Sequence, residues 1–477
     1  MAFSRGSHTL SISAKLFAEN RSRLINALKP NAKHGSVVVL KGGSEFQRYD
    51  TDSVINVFRQ ESYFFWAFGV HEEDFYGAID IDSGKSILFP PRLPPVYAII
   101  CGKINPESYF KEKYGVDEVH FNDERTIATV LKRFNAKNLL LLRTTNTDSN
   151  SHLEPATFCG DNEFEKDIST LYPIMANLRV FKTDMELEVL RYAAKAASEA
   201  QKSSMKLSKP GLYEYQFESN FCHVCSNDFG CRNTSFTCIA ASGPNSAVLH
   251  YGAANAPNNR QVVDGDLCLL DMGAEYNCYA SDITITFPCN GKFTDKQKII
   301  YNAVLAANRA VFKSAKPGVC WVDMHLTAER VILEHLKAAD LLVGEVNEML
   351  DARLGAVFMP HGLGHFVGVD VHDVGGYLQD ALPRPTLPGL KSLRTTRKLQ
   401  ERMVITVEPG CYFIDSVLDE AIMDQRLRKF LNLEKLKEFR GFGGVRIEDD
   451  VVIWEKGNEL LTNVPRTVEE IEAFMRK

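Results

Sequence analysis

The chain has 477 residues, 45% hydrophobic and 24% charged, with a net charge of −6. That balance belongs to a soluble globular protein of two or three domains, and the acidic excess argues against a nucleic-acid partner, which needs a basic face. No apolar run approaches the ~18 residues of a membrane span. The opening stretch from Met1 to Ile25 lacks a signal-peptide core and the end carries no lipidation signal, so the expectation is a cytoplasmic protein with no membrane partner.

In chain order, Val37-Val38-Val39-Leu40 reads as a buried strand. Residues 79–89 read as a hairpin around Asp82-Ser83-Gly84-Lys85, and 139–142 as a further strand. A helical pattern at 126–134 falls between them, so residues 1–182 form an alternating α/β domain, with no phosphate loop and no metal cluster expected in it. Thr183-Asp184-Met185-Glu186 is a capping box, in which the hydroxyl caps a new helix and the glutamate reaches back. That helix runs to about residue 206 and stops at Lys209-Pro210-Gly211.

Residues 183–477 then read as a second α/β domain, with helices near 295–315 and 322–339 and β-rich stretches between and after them. Cys222 and Cys225 form a CxxC within an amphipathic pattern at 213–225. The second half of a zinc site is missing, so they read as packing residues, and the eleven scattered cysteines read as reduced thiols.

The chemistry-bearing residues lie in the β-rich stretches. Leu267 to Phe287 reads as a hairpin turning near Glu275-Tyr276-Asn277-Cys278. If it closes symmetrically there, Asp271 faces Asp282 directly, with Cβ atoms about 4.5–5.5 Å apart. Aspartate is a poor strand residue, and two like charges facing each other destabilise a sheet. A divalent cation resolves that conflict; the plainer alternative is a strand-end aspartate with a solvated neighbour.

His361-Gly362-Leu363-Gly364-His365 and His372 bring imidazoles together. The glycines exclude a helix, so this is a loop or irregular strand. Glu408 ends the β-rich run 403–408 before Pro409-Gly410, and Glu448 precedes the strand pattern at 449–453. Taken alone, Glu448 has a plain reading as an ion pair with Arg446 on one strand face.

Together these segments resemble the prolidase branch of the creatinase/methionine-aminopeptidase, or pita-bread, family of metallopeptidases. The motifs are LLDMG around Asp271, ASDITITF around Asp282, HGLGH and DVHD around His365 and His372, TVEPG around Glu408 and GGVRIEDD around Glu448. SGPNSAVLHYG around His250 and LRTTRKLQ around Arg394 extend the likeness, which covers essentially the whole chain. Gln400-Glu401-Arg402 replaces a usual Pro-Gly turn, and Cys411 a usual branched aliphatic residue; neither removes a ligand.

The resemblance implies a creatinase-like α/β domain followed by a pita-bread domain with a curved antiparallel sheet, and a homodimer. It implies that Asp271 binds one metal, that His365 and Glu408 bind a second, and that Asp282 and Glu448 bridge both. Four carboxylates balance two divalent cations in charge. Oxygen-rich donors with one imidazole and no thiolate suit manganese, while also admitting zinc, cobalt or iron. The implied reaction is hydrolysis of a dipeptide ending in proline. Glu408 would handle the water proton, His372 the oxyanion, and His250, His372 and Arg394 the substrate. The alternatives are an Xaa-Pro aminopeptidase on the same fold, a non-catalytic binding protein, and a metal-free hydrolase of creatinase type.

Overall fold

The computed structural model describes residues 2–54 and 57–476. The chain divides into two compact units. One comprises the residues up to 179 together with 183–186, the other 180–182 with 187–477.

The first unit is built on a six-stranded mixed sheet. Its order is Glu165–Asp167, Asn138–Leu141, Ser36–Lys41, Tyr76–Asp80, Ser86–Phe89, Glu118–Val119. The Val37-Val38-Val39-Leu40 run is central, parallel to one neighbour and antiparallel to the other, and burial on both faces explains its unbroken apolar character. The helix Thr126–Arg133 buries Ile127, Ala128, Val130 and Leu131. The capping box forms as its residues dictate: Thr183 N donates to Glu186 Oε2 at 2.8 Å, and Glu186 N to Thr183 Oγ1 at 3.2 Å. The helix it opens is Asp184–Leu207.

The second unit pairs its strands antiparallel. One three-stranded sheet contains Ile239–Ser242, Leu267–Asp271 and Thr284–Pro288, and another contains Val404–Val407, Asp449–Trp454 and Gly457–Leu460. Helices Asp295–Ser314 and Trp321–Ala338 pack on each other and match the apolar periodicity of those stretches. The helix Glu214–Phe229 carries the CxxC; Cys225 is buried, Cys222 half-buried, and all eleven cysteines are free.

The hairpin register differs from the symmetric expectation by one residue at its turn. The closing pair is Tyr276↔Tyr279, and the two turn residues Asn277 and Cys278 have φ of 50° and 58°. Positive φ at both positions is the type I′ geometry that suits the right-handed twist of the flanking strands. Asp271 therefore faces Thr284, not Asp282. The two aspartates become diagonal neighbours on one face, which keeps them on the same side while easing their repulsion.

Candidate metal centre

Each acidic residue of interest sits where a strand stops. Asp271 ends Leu267–Asp271, and Asp282 precedes Thr284–Pro288. Glu408 follows Val404–Val407, and Glu448 lies between Gly444–Arg446 and Asp449–Trp454. A side chain just beyond a ladder is free to turn inward while the ladder fixes its backbone. Glu408 N, for example, still donates to Leu363 O at 2.9 Å.

His365 comes from the glycine-rich loop, which lies against the strand Val404–Val407. Its N–H donates to Thr406 Oγ1 at 3.0 Å and its carbonyl accepts from Thr406 N at 2.9 Å. A Cβ on Gly364 would stand 2.0 Å from Thr406 O, and one on Gly362 2.8 Å from Ser392 O. The glycines are there because backbone meets backbone on both sides of the loop.

The carboxylate and imidazole atoms converge. One ligand atom each from Asp271, Asp282 and Glu448 lie within 4.8 Å of one another, and so do atoms from His365, Glu408 and Glu448 and from Asp282, His365 and His372. His365 Nε2 is 3.3 Å from Asp282 Oδ2 and 3.4 Å from Glu408 Oε1. Its Nδ1 lies 3.0 Å from the carbonyl of Phe366, an acceptor, which sets the proton on Nδ1 and leaves the Nε2 lone pair facing the carboxylates.

The donors fit cations better than they fit each other. Asp271 Oδ1 and Asp282 Oδ1 are buried without a hydrogen-bond partner. Burial, then the neighbouring Glu448, Asp271 and Glu408, push the Asp282 carboxyl well above its usual range; burial, Glu408 and Asp271 do the same to Glu448. Glu408 is pushed up to about 7 by burial and by Asp271, and burial pulls His365 down to about 4. A set of carboxylates that stays charged only against its own repulsion, beside an imidazole held neutral, is a donor set for divalent ions. Positive charge replaces the protons the centre would otherwise hold.

Arg446 does not pair with Glu448. The two residues flank the break between Gly444–Arg446 and Asp449–Trp454, and both face the same cavity. The buried guanidinium instead meets Asp271 Oδ2 at 2.6 Å and the Tyr412 hydroxyl at 2.8 Å, while Glu448 Oε2 accepts from Thr284 Oγ1 at 2.6 Å. His361 joins this network: its Nδ1 is 2.7 Å from Gly362 O and its Nε2 2.9 Å from the Tyr412 hydroxyl. Sequence reasoning brought His361 toward the site as one of three imidazoles but gave it no role, and it left Arg446 and Tyr412 out of the site. The four-residue spacing of His361 and His365 was the available signal; nothing in the sequence marks Tyr412.

All eight expected site residues line one cavity of about 460 Å³, a size suited to a small ligand. Asp271, Asp282, His365, Glu408 and Glu448 form its charged floor, and His250, His372 and Arg394 join them in its lining. Phe236, Ile239 and Leu249 supply apolar wall.

Residues 188–455 match metallopeptidase family M24, and residues 17–141 match the N-terminal domain of aminopeptidase P. Xaa-Pro dipeptidases of Rattus norvegicus and Homo sapiens are 56% identical over 476 residues, covering 99% of this chain and 96% of each relative. A probable Xaa-Pro aminopeptidase of Sordaria macrospora is 34% identical over 467 residues, covering 97% of this chain and 96% of the relative. Among solved structures, zinc-substituted Escherichia coli aminopeptidase P in complex with product has a TM-score of 0.77 at 29% identity, covering 98% of this chain and 99% of that one. Pseudomonas aeruginosa aminopeptidase PepP has a TM-score of 0.78 at 29% identity, covering 97% and 98%.

Proposed function

The chain belongs to metallopeptidase family M24, and from that premise we infer that it is an Xaa-Pro dipeptidase, hydrolysing dipeptides to proline and the residue before it. The carrying observation is 56% identity to dipeptidases over 99% of the chain. The buried acidic cluster is a dinuclear divalent-metal site. Asp271 would hold one ion and His365 and Glu408 the other, with Asp282 and Glu448 as ligands available to both. The overlapping convergence of ligand atoms from these residues supports this. Manganese is the ion we assign, from the hard oxygen donors. The catalytic domain is residues 183–477, preceded by the α/β domain of residues 1–182. The reading also makes the protein a cytoplasmic homodimer, as the family likeness implies. Among the described residues, no helix is long and apolar enough to cross a membrane.

When bound, the two ions supply Lewis acidity, making water a nucleophile near neutral pH and polarising the scissile carbonyl. Glu408, held by Thr406 Oγ1 at 3.2 Å, takes the proton of the attacking water and returns it to the proline nitrogen as the C–N bond breaks. His372 donates to the oxyanion as the carbonyl becomes tetrahedral. Arg394 receives the free proline carboxylate through its planar fork, with His250 lining the same pocket. Proline's nitrogen carries no N–H, so the site selects its substrate by the ring and carboxylate. A rigid cavity of this kind takes one X–Pro isomer, the trans form.

The test is hydrolysis of Gly-Pro against Gly-Pro-amide and a Gly-Pro tripeptide by metal-loaded enzyme. The dipeptide alone should turn over well. Equal rates on the tripeptide would move the reading to an aminopeptidase, which the aminopeptidase P structures otherwise favour.

A further inference from the structure

Arg394 lies in a stretch without regular structure, between the short helical turn Leu390–Ser392 and the isolated bridge Cys320↔Lys398. Its aim into the cavity therefore depends on what fixes the backbone on either side of it. The carbonyl of Leu393, in the peptide that enters Arg394, accepts two hydrogen bonds: from the Tyr377 hydroxyl at 2.7 Å and from Arg384 Nη1 at 2.8 Å. The Arg384 guanidinium lies over the Tyr377 ring, 4.3 Å from its centroid, so the two donors brace each other. Nearby, Thr395 Oγ1 donates to Gly376 O at 3.1 Å, and a Cβ on Gly376 would stand 2.0 Å from Arg394 O. Gly362 closes on Ser392 O and the Leu393 backbone. The peptide on each side of Arg394 is thus gripped, and the grip at Leu393 comes from two side chains of one surface excursion.

A carbonyl oxygen has two lone pairs, and here both are taken. That fixes the plane of the 393–394 peptide and hence the direction in which the Arg394 side chain leaves the backbone. Neither Tyr377 nor Arg384 is among the residues lining the cavity, and both are half-buried. We infer that Tyr377 and Arg384 are positioning residues, which aim Arg394 at the substrate carboxylate and thereby set the preference for dipeptides. This rests on the reading of Arg394 given above. A fork that must meet a planar carboxylate bidentately tolerates little angular error, and small misplacements near a reacting centre are expensive.

The experiment uses full-length, metal-loaded enzyme carrying Tyr377→Phe, which keeps the ring and loses one donor, or Arg384→Gln, which loses the stacked guanidinium. Each should raise KM for Gly-Pro about three- to tenfold, the range expected for one net hydrogen bond. The kcat should stay within about twofold, with metal content and unfolding midpoint unchanged. In an Arg394→Lys background the same substitutions should add less than about twofold, because the fork they aim is gone. A fall in kcat at constant KM, or a full effect on top of Arg394→Lys, overturns the proposal. If Arg394→Lys raises KM while neither Tyr377→Phe nor Arg384→Gln does, the positioning role alone fails. If Arg394→Lys leaves KM unchanged, the carboxylate reading fails and takes this proposal with it.

Discussion

Asp282→Asn should act with opposite sign on the metal-free and the metal-loaded protein. In the metal-free protein the Asp282 carboxyl is buried among Glu448, Asp271 and Glu408 and titrates far above its ordinary value of 3.8. A carboxyl whose folded value is raised loses stability as pH climbs above its unfolded value, by about 1.4 kcal/mol per pH unit until the folded value is reached. At pH 7.5 the penalty is therefore at most about 5 kcal/mol. Asparagine is nearly isosteric and carries no such penalty. Chelated Asp282→Asn should unfold several degrees above chelated wild type at pH 7.5, with the gap closing toward pH 4. Loaded with metal, the order reverses, because the variant has lost a carboxylate shared by two ions; metal content should fall below one ion per chain and Gly-Pro hydrolysis should vanish. The assays are thermal unfolding with and without chelator at the two pH values, elemental analysis, and turnover. Two ions per chain with normal turnover would refute the shared-ligand assignment. A chelated variant no more stable than wild type at pH 7.5 would refute the charge-crowding argument.

Chelation should abolish hydrolysis and manganese should restore it best; an enzyme that keeps its original rate after chelation contradicts the metal mechanism. Arg394→Lys keeps the charge but loses the fork, so KM for Gly-Pro should rise about tenfold, or roughly 1.4 kcal/mol, with Gly-Pro-amide little affected. Gly364→Ala should strip the second ion and lower the unfolding midpoint, since a Cβ there would meet Thr406 O at 2.0 Å; unchanged metal content in a folded variant would show that the loop can retreat. A thiol reductant should leave the unfolding midpoint where it is, because all eleven cysteines are free; a drop would point to a disulfide.

Strands and helices with strong periodicity were legible in the sequence, and so was the convergence of eight residues from distant segments on one cavity. The misread details share a cause, which is that spacing along the chain does not report where a ladder ends. The hairpin centre moved because Cys278 adopts positive φ, a conformation its side chain does not advertise. The plain alternative of an Arg446–Glu448 ion pair fails because the guanidinium reaches Asp271 and Tyr412, which lie far from it in sequence. Tyr412 was invisible because its role is to accept from Arg446 and meet His361, two partners far from it in sequence.

The segments that carry the acidic and imidazole cluster also set when the protein can first act. They run from Asp271 to Glu448, and each borrows its geometry from a strand paired elsewhere in the second unit. A nascent chain emerging from the ribosome carries two aspartates long before the second glutamate arrives, and until then it can assemble at most part of the cage. Tight ion capture would require the chain through Glu448 to be made and its long-range pairs to have closed. Uptake of both ions during refolding should therefore lag behind helix formation and coincide with the closing of these long-range pairs.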